Sequence, residues 1–214
     1  MPDSSNATFL VELERNGAKA FAIYKPGKGE RPLWDFPPAL YRREIAAYLL
    51  SEALGWDIVP LTIEREGPFG DGSLQWFVHA DFDQHYFTLR DDAALHDQLR
   101  LICLFDLIAN NADRKAGHCL LLEESKRVYA IDNGLCFHVE PKLRTVIWDF
   151  GGEPIAPPLL ADLRQLVDEG VSSELAALIT RDERKVLFRR ARHLIDAGVF
   201  PTDASGMRYP WPLV

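Results

Sequence analysis

Apolar and polar residues alternate with a period of two in two short early runs, residues 9–14 (FLVELE) and 20–25 (AFAIYK). That period places every second side chain on one face of a strand, and Asn16-Gly17 between the runs is the pair that best closes a tight hairpin. After a Pro- and Gly-rich loop over 26–38, the apolar spacing becomes that of a helix across 40–54, stopped by Gly55. Strand patterns return at 58–64 and 73–79, separated by the turn segment Gly-Pro-Phe-Gly-Asp-Gly. Beyond residue 81 helical spacing dominates, predicting helices over 95–109, 159–169, 172–179 and 181–197, with Gly170 and Gly198 as stops. A hairpin of 120–123 and 128–131 interrupts them, and 145–148 reads as a further strand.

The pattern therefore predicts an α+β chain in two lobes. A small β-rich N-lobe spans 1–81, a mostly helical C-lobe spans 82–214, and a hinge lies near 81–92. The chain has no internal repeat and no low-complexity tract.

Length changes this picture little: 214 residues suit one globular unit divided into two lobes. Charge excludes more. With 32 acidic against 24 basic residues the net charge is -8, so no overall field draws the chain to nucleic acid or to an anionic bilayer. The apolar runs fall far short of the roughly 20 residues that span a membrane, and neither nucleic-acid binding nor integral membrane contact is expected. Three cysteines cannot all pair, and the opening MPDSSNATFL lacks a signal-peptide pattern, so a reducing, cytoplasmic location is expected. Arg181, Arg184, Lys185, Arg189, Arg190 and Arg192 give the last helix a basic side, read as a solvated or partner-facing surface.

Candidate chemistry gathers at the ends of the later hairpin. Asp113 precedes it in the polar run Asn110-Asn111-Ala112-Asp113-Arg114-Lys115, and Asp132 follows it in Ile131-Asp132-Asn133-Gly134. Phosphoryl transfer needs one carboxylate to orient or deprotonate the acceptor and another to hold the divalent cation that bridges the phosphates. It also needs a cation for those phosphates, for which Lys25 at a strand end is a candidate, with Glu44 in the helix as its ion-pair partner. Taken singly, a strand-end lysine or a helix glutamate is most often a solvated charge.

The segments SNATFL, YKPGKGERPLWDFP, REIAAYLLSEALGW, NNADRKAGH and IDNGLCFH resemble the atypical kinases grouped with phosphatidylinositol 3- and 4-kinases, above all a bacterial branch. HipA-type and secretory-pathway kinases are more distant relatives in that resemblance. The likeness covers about residues 4–150, and its long YKPGKGERPLWDFP block is specific where the short Asp motifs are not. It implies a two-lobed kinase-like fold that binds ATP with Mg²⁺ or Mn²⁺ and phosphorylates a hydroxyl on a protein, lipid or small molecule. Lys25 resembles the ATP-phosphate lysine and Glu44 its helix partner; Ser4, Ser5 and Asn6 sit where the phosphate-covering loop meets the next strand. Asp113 resembles the catalytic aspartate, Asp132 the metal aspartate, and the stretch from Gln75 to Val78 the hinge whose backbone meets adenine.

The sequence departs from that family's pattern in two places. Asp113-Arg114-Lys115-Ala116-Gly117-His118 carries Lys for the usual His, and His118 stands where an Asn normally binds metal. Imidazole suits softer ions than Mg²⁺, so His118 either favours Mn²⁺ or contacts a phosphate. Only Met1 to Asp3 precede Ser4, where kinase lobes carry a further strand; either the chain starts at an internal Met of a longer gene or the nucleotide cover is short, and weaker ATP binding is expected in both cases. Two alternatives stay beside catalysis of phosphoryl transfer: a nucleotide-binding protein without turnover, and transfer of AMP by the same cleft.

Other patterns are weighed and set aside. A literal Asp149-Phe150-Gly151 lies one strand too far along to face Asp113, and Asp149 is read as a turn residue. His118-Cys119 and Cys136-Phe137-His138 invite a zinc reading, but adjacent strand residues point to opposite faces and the spacing fits no common finger. His79, Asp81, His85 and His96 lack the spacing of a metallohydrolase, and neither Gly-x-Ser-x-Gly nor a Walker loop occurs. Lys28 and Arg31, in the loop after Lys25, are either phosphate contacts or solvated loop residues.

Overall fold

A computed structural model of the chain describes residues 7–214. The first hairpin forms as the alternation requires: β1 (Phe9–Arg15) pairs antiparallel with β2 (Ala18–Pro26). Asn16 and Gly17 both adopt positive φ, 53° and 80°, the geometry that matches the twist of the flanking strands. β3 (Thr62–Gly67) and β4 (Gly70–Trp76) complete a four-stranded antiparallel sheet in the order β1-β2-β4-β3. Both later strands are displaced from the sequence reading. Pro60 and the hydroxyl of Ser51, which accepts the Ile58 amide at 2.9 Å, hold residues 58–60 in irregular core packing, and only Pro68 and Phe69 remain in the turn.

Helix α1 (Tyr41–Ala53) crosses beside this sheet. Its first amides find a partner that local sequence does not announce: the Glu30 carboxylate accepts from Leu40 at 2.8 Å and Tyr41 at 2.7 Å. The apolar side of α1, with Ala46, Ala47 and Leu50, joins the main core of the molecule, whereas the sheet keeps a small cluster of its own around Ala22, Tyr24 and Leu74. The helix is thus anchored in the C-lobe core while lying against the N-lobe sheet.

The expected hinge at 81–92 contains packed structure. A short helix α2 (Tyr86–Leu89) buries Tyr86 and Leu89 in the main core, so the open connection is confined to the residues just after the sheet. α3 (His96–Ala109) is the central helix, its Leu99, Ile102, Leu104, Phe105 and Ile108 buried, each contributing about 1.5–3 kcal/mol of apolar burial. Asn110 ends it in the left-handed conformation at φ 57°. The chain then runs through the polar loop into the hairpin β5 (Cys119–Leu122) and β6 (Arg127–Ala130).

After β6 the chain is irregular as far as α4 (Pro157–Glu169). Residues 145–148 do not form the expected strand; Thr145 makes a single bridge with Arg114. α5 (Ser173–Leu178) and α6 (Arg181–Ala197) follow, each opened by a hydroxyl cap, Ser172 and Thr180, with Gly198 closing α6 at φ 66°. Two of the basic residues of α6 turn inward. Arg184 bonds the Ala176 carbonyl, and Arg190 donates to the Ile108 carbonyl at 2.7 Å, its pKa pulled down to about 10 by burial. Among the described residues no helix is long and apolar enough to cross a membrane.

Candidate active site

Three elements far apart in sequence converge between the lobes. Lys25, near the end of β2, donates to Glu44 Oε1 at 2.5 Å and to Asp132 Oδ1 at 2.8 Å. Glu44, in the first turn of α1 and almost fully buried, uses its other oxygen to accept the Asn133 amide at 2.9 Å. One carboxylate therefore ties sheet, helix and the loop after β6 into a single frame. Burial opposes the Lys25 charge, but Asp132 and Glu44 outweigh it and hold the ammonium above its ordinary range. Lys25 in turn drives the Asp132 carboxyl well below the usual carboxylate range, and Asp132 keeps about half of its side chain exposed, at 49%.

Asp132 sits at φ 57°, a left-handed position that costs a non-Gly residue energy. Its second oxygen lies 3.3 Å from His118 Nε2. His118 ends the single turn that follows the polar loop, and its Nδ1 accepts the Lys115 amide at 3.3 Å. Burial pulls its pKa down to about 4, against the pull of Asp132, so the ring is neutral near pH 7. With Nδ1 accepting, the remaining proton is on Nε2 and faces Asp132. Asp113 lies in the same polar loop, 3.2 Å from Lys115 Nζ. Burial raises its pKa, Lys115 opposes the rise, and the negative charge of Asp132 adds to it, so the two carboxylates share one electrostatic neighbourhood.

The loops carrying these groups are held by a buried ion pair that the sequence reading did not single out. Arg114 and Asp106 have no side-chain exposure, and the guanidinium makes Nε and Nη2 contacts of 3.0–3.1 Å to the carboxylate. The same guanidinium donates to the Ile131 carbonyl at 2.5 Å and to Asn133 Oδ1 at 2.6 Å, while Asn111 and Thr145 bond Asp106 at 3.1 and 3.2 Å. Asp106 was visible as the lone charge in the apolar run LICLFDLIA, a signal that a buried partner must exist.

Of the other expected site residues, Ser4, Ser5 and Asn6 lie outside the described residues. Gln75 is corrected: its backbone stands in the ladder opposite Ile23 and Thr62, and its buried amide donates to Thr62 Oγ1 at 2.9 Å. The chain is still bound to the sheet at Phe77, whose amide reaches the Phe21 carbonyl at 3.1 Å, so the connection between lobes begins at Val78. Val78 packs with Leu120 and Tyr129 of the hairpin, with Ala80 and Ile131 against them. Lys28 lies along Gly70 of the β3–β4 turn. Asp149 stands elsewhere, bonded to Tyr86 and 3.2 Å from Arg90, in a turn. Cys119 and Cys136 are buried free thiols, the former with its pKa pushed up to about 12 by burial.

The sequence profile of phosphatidylinositol 3- and 4-kinases matches residues 40–183. The chain belongs to that family. Glu44, Asp113, His118 and Asp132 lie inside the matched span; Lys25 precedes it and is joined to the site by geometry. A relative from Mycobacterium tuberculosis, Protein Rv2133c, is 38% identical over 98% of this chain and 88% of its own length. Among solved structures, hydra Fam20 with sugar superposes with a TM-score of 0.56 at 13% identity, over 91% of this chain and 81% of that one. The Golgi casein kinase with Mn/ADP bound gives 0.55 at 12% identity, over 100% and 76% of the two chains. This member of the phosphatidylinositol 3- and 4-kinase family therefore has the two-lobed fold of the atypical kinases, and family and fold together support a phosphotransferase.

Proposed function

We propose that the protein transfers the γ-phosphoryl group of ATP, with a divalent metal, to a hydroxyl acceptor. The observation that carries this reading is the Lys25 ammonium shared between Glu44 at 2.5 Å and Asp132 at 2.8 Å in the cleft between the lobes. A cation fixed in place, beside an anionic carboxylate that stays half exposed, is the charge pattern a metal triphosphate requires. Val78, Leu120 and Tyr129 would form the apolar end where a base stacks.

The donor set fits a metal completed by phosphate. Among the described residues no three His, Cys, Asp or Glu side chains form a cage, which suits Mg²⁺ or Mn²⁺ held by Asp132 with phosphate oxygens and water as the other ligands. When bound, such an ion neutralises phosphate charge and orients the groups that react. His118 serves this arrangement best as a donor: its Nε2 proton faces Asp132, and direct ligation through Nε2 would cost that proton. Asp113 would take the proton of the acceptor hydroxyl; burial raises its proton affinity, as a base needs, and Lys115 limits the rise.

The test uses ATP labelled in the γ position with Mn²⁺, following label transfer, ADP release and intact mass. Label transfer or ADP release by the wild type should fall about 100-fold in Asp113→Asn. Equal rates in the two proteins would remove Asp113 from the mechanism. A mass gain of AMP would reassign the cleft to nucleotidyl transfer, and binding without either gain or ADP release would make it a nucleotide-binding protein.

A further inference from the structure

The loop that carries Asp113 and His118 is supported from outside, by chain that lies beyond the last helix. Past α6, Asp203 folds the chain back: its carboxylate accepts the Ser205 amide at 3.1 Å and the Arg208 amide at 2.9 Å, with Gly206 at φ 64° in the turn. Residues 208–213 are then linked to the loop by two routes.

One route is direct. Ala116 is fully buried, and its amide donates to the Leu213 carbonyl at 2.7 Å. Ala116 opens the single turn that ends in His118, and the first amides of such a turn have no acceptor inside it. Leu213 supplies that acceptor, while its side chain packs against the main core. The second route passes through residues 144–146. The Arg208 carbonyl accepts the Thr145 amide at 3.0 Å and Trp148 Nε1 at 3.3 Å. On either side of Thr145, the Arg144 carbonyl accepts the Arg114 amide at 3.0 Å, and the Val146 amide donates to the Arg114 carbonyl at 3.1 Å. Pro210, between the two points of attachment, is buried.

The direct contact falls where it bears on the chemistry. Lys115, the residue before Ala116, stands 3.2 Å from Asp113 through its ammonium and donates its amide to His118 Nδ1 at 3.3 Å. A shift of the backbone at Ala116 therefore reaches the partner of Asp113 and the ring that faces Asp132 together. The segment does little else for the molecule: Met207 and Trp211 are 81% and 86% exposed, so their bulk adds nothing to the core.

We propose that residues 208–213 act as a strap on the catalytic loop, with the Leu213 carbonyl as a positioning group that fixes Ala116 and, through it, Asp113 and His118. The effect on turnover rests on the kinase reading above; the hold on the loop does not.

The test is hydrogen–deuterium exchange with peptide mass analysis on the full chain, beside steady-state ADP release from ATP with Mn²⁺. Leu213→Ala loosens the anchor and should speed exchange over residues 111–118, and Leu213→Met should restore it. A chain shortened to end at Arg208 loses the acceptor itself, so exchange there should rise about tenfold. Its kcat should fall about tenfold while KM for ATP stays within roughly twofold, because Lys25 and Glu44 lie on other elements. Leu213→Ala gives the same comparison, in smaller measure, should the shortened chain not fold. Unchanged exchange over 111–118 would overturn the proposal, as would exchange that rises equally in α3 and α6, or a raised KM with kcat intact. A wild type that releases no ADP would sink the kinase reading and leave exchange to decide the strap.

Discussion

At the scale of single residues the account turns on Lys25. Replacing it with Met leaves Glu44 and Asp132 facing each other without the cation between them, one of them buried. Lys25→Met is expected to lose about 1–3 kcal/mol in urea unfolding and to lower phosphoryl transfer by about 100-fold or more. A variant with wild-type turnover would remove Lys25 from the site.

His118 gives a pH signature. Its folded pKa of about 4 lies below the ordinary 6.5, so the unfolded chain binds the extra proton first as pH falls. His118 therefore contributes stability that is full above about pH 6.5 and is lost toward pH 4, with an upper size of about 3 kcal/mol. Asp113 and Asp106, raised by burial, work in the opposite sense at the lower end. In denaturant titrations at pH 7 and pH 4.5, His118→Asn should flatten the difference the wild type shows; an unchanged difference would mean that His118 titrates as an ordinary exposed histidine.

These residues were legible because each lies at a recognisable local place: a strand end, a first helical turn, the two ends of a hairpin. Arg114 was not, although it is written next to Asp113. Its role depends on Asp106, Ile131 and Asn133 meeting around it, which is a matter of hydrogen-bond accounting in three dimensions. Gln75 came from the resemblance, as the start of a hinge, and its backbone instead lies in the ladder between β2 and β3. Its side chain is buried, and Thr62 Oγ1 accepts its amide there.

At the scale of elements, the buried pair between α3 and the loop is expected to dominate stability. Arg114→Met strands Asp106 without its counter-charge, and Asp106→Asn strands Arg114, so each should cost about 3–5 kcal/mol in chemical denaturation. A loss below 1 kcal/mol in both would show that the pair is not buried in solution. The cap on α1 is a smaller effect: Glu30→Ala should cost about 0.5–2 kcal/mol and, because Glu44 lies one turn away, weaken nucleotide binding as well. Helix spans were legible because apolar spacing and glycine stops are local. α2 and the irregular stretch after β6 were not, since neither repeats any period and both take their shape from packing on the core.

At the scale of the molecule, the lobes are joined at more than the connection through Val78. α1 belongs to both: Arg43 bonds the Cys136 carbonyl and Glu183 of α6, Arg42 reaches the Ala177 carbonyl at 2.9 Å, and Glu44 holds Asn133. The helix that fixes Lys25 is thus braced from the C-lobe. The two-lobed plan was visible in the change of period along the chain, whereas this bracing, which depends on contacts between residues 89 to 140 positions apart, was not.

The most direct measurement is a calorimetric titration of ATP into the wild type and Asp132→Ala, with and without Mn²⁺. The wild type should bind ATP at least about tenfold more tightly with the metal, and Asp132→Ala should lose that gain while remaining folded. Wild-type binding indifferent to the metal, or an Asp132→Ala protein that keeps the full gain, would contradict the assignment of this cleft to a metal triphosphate.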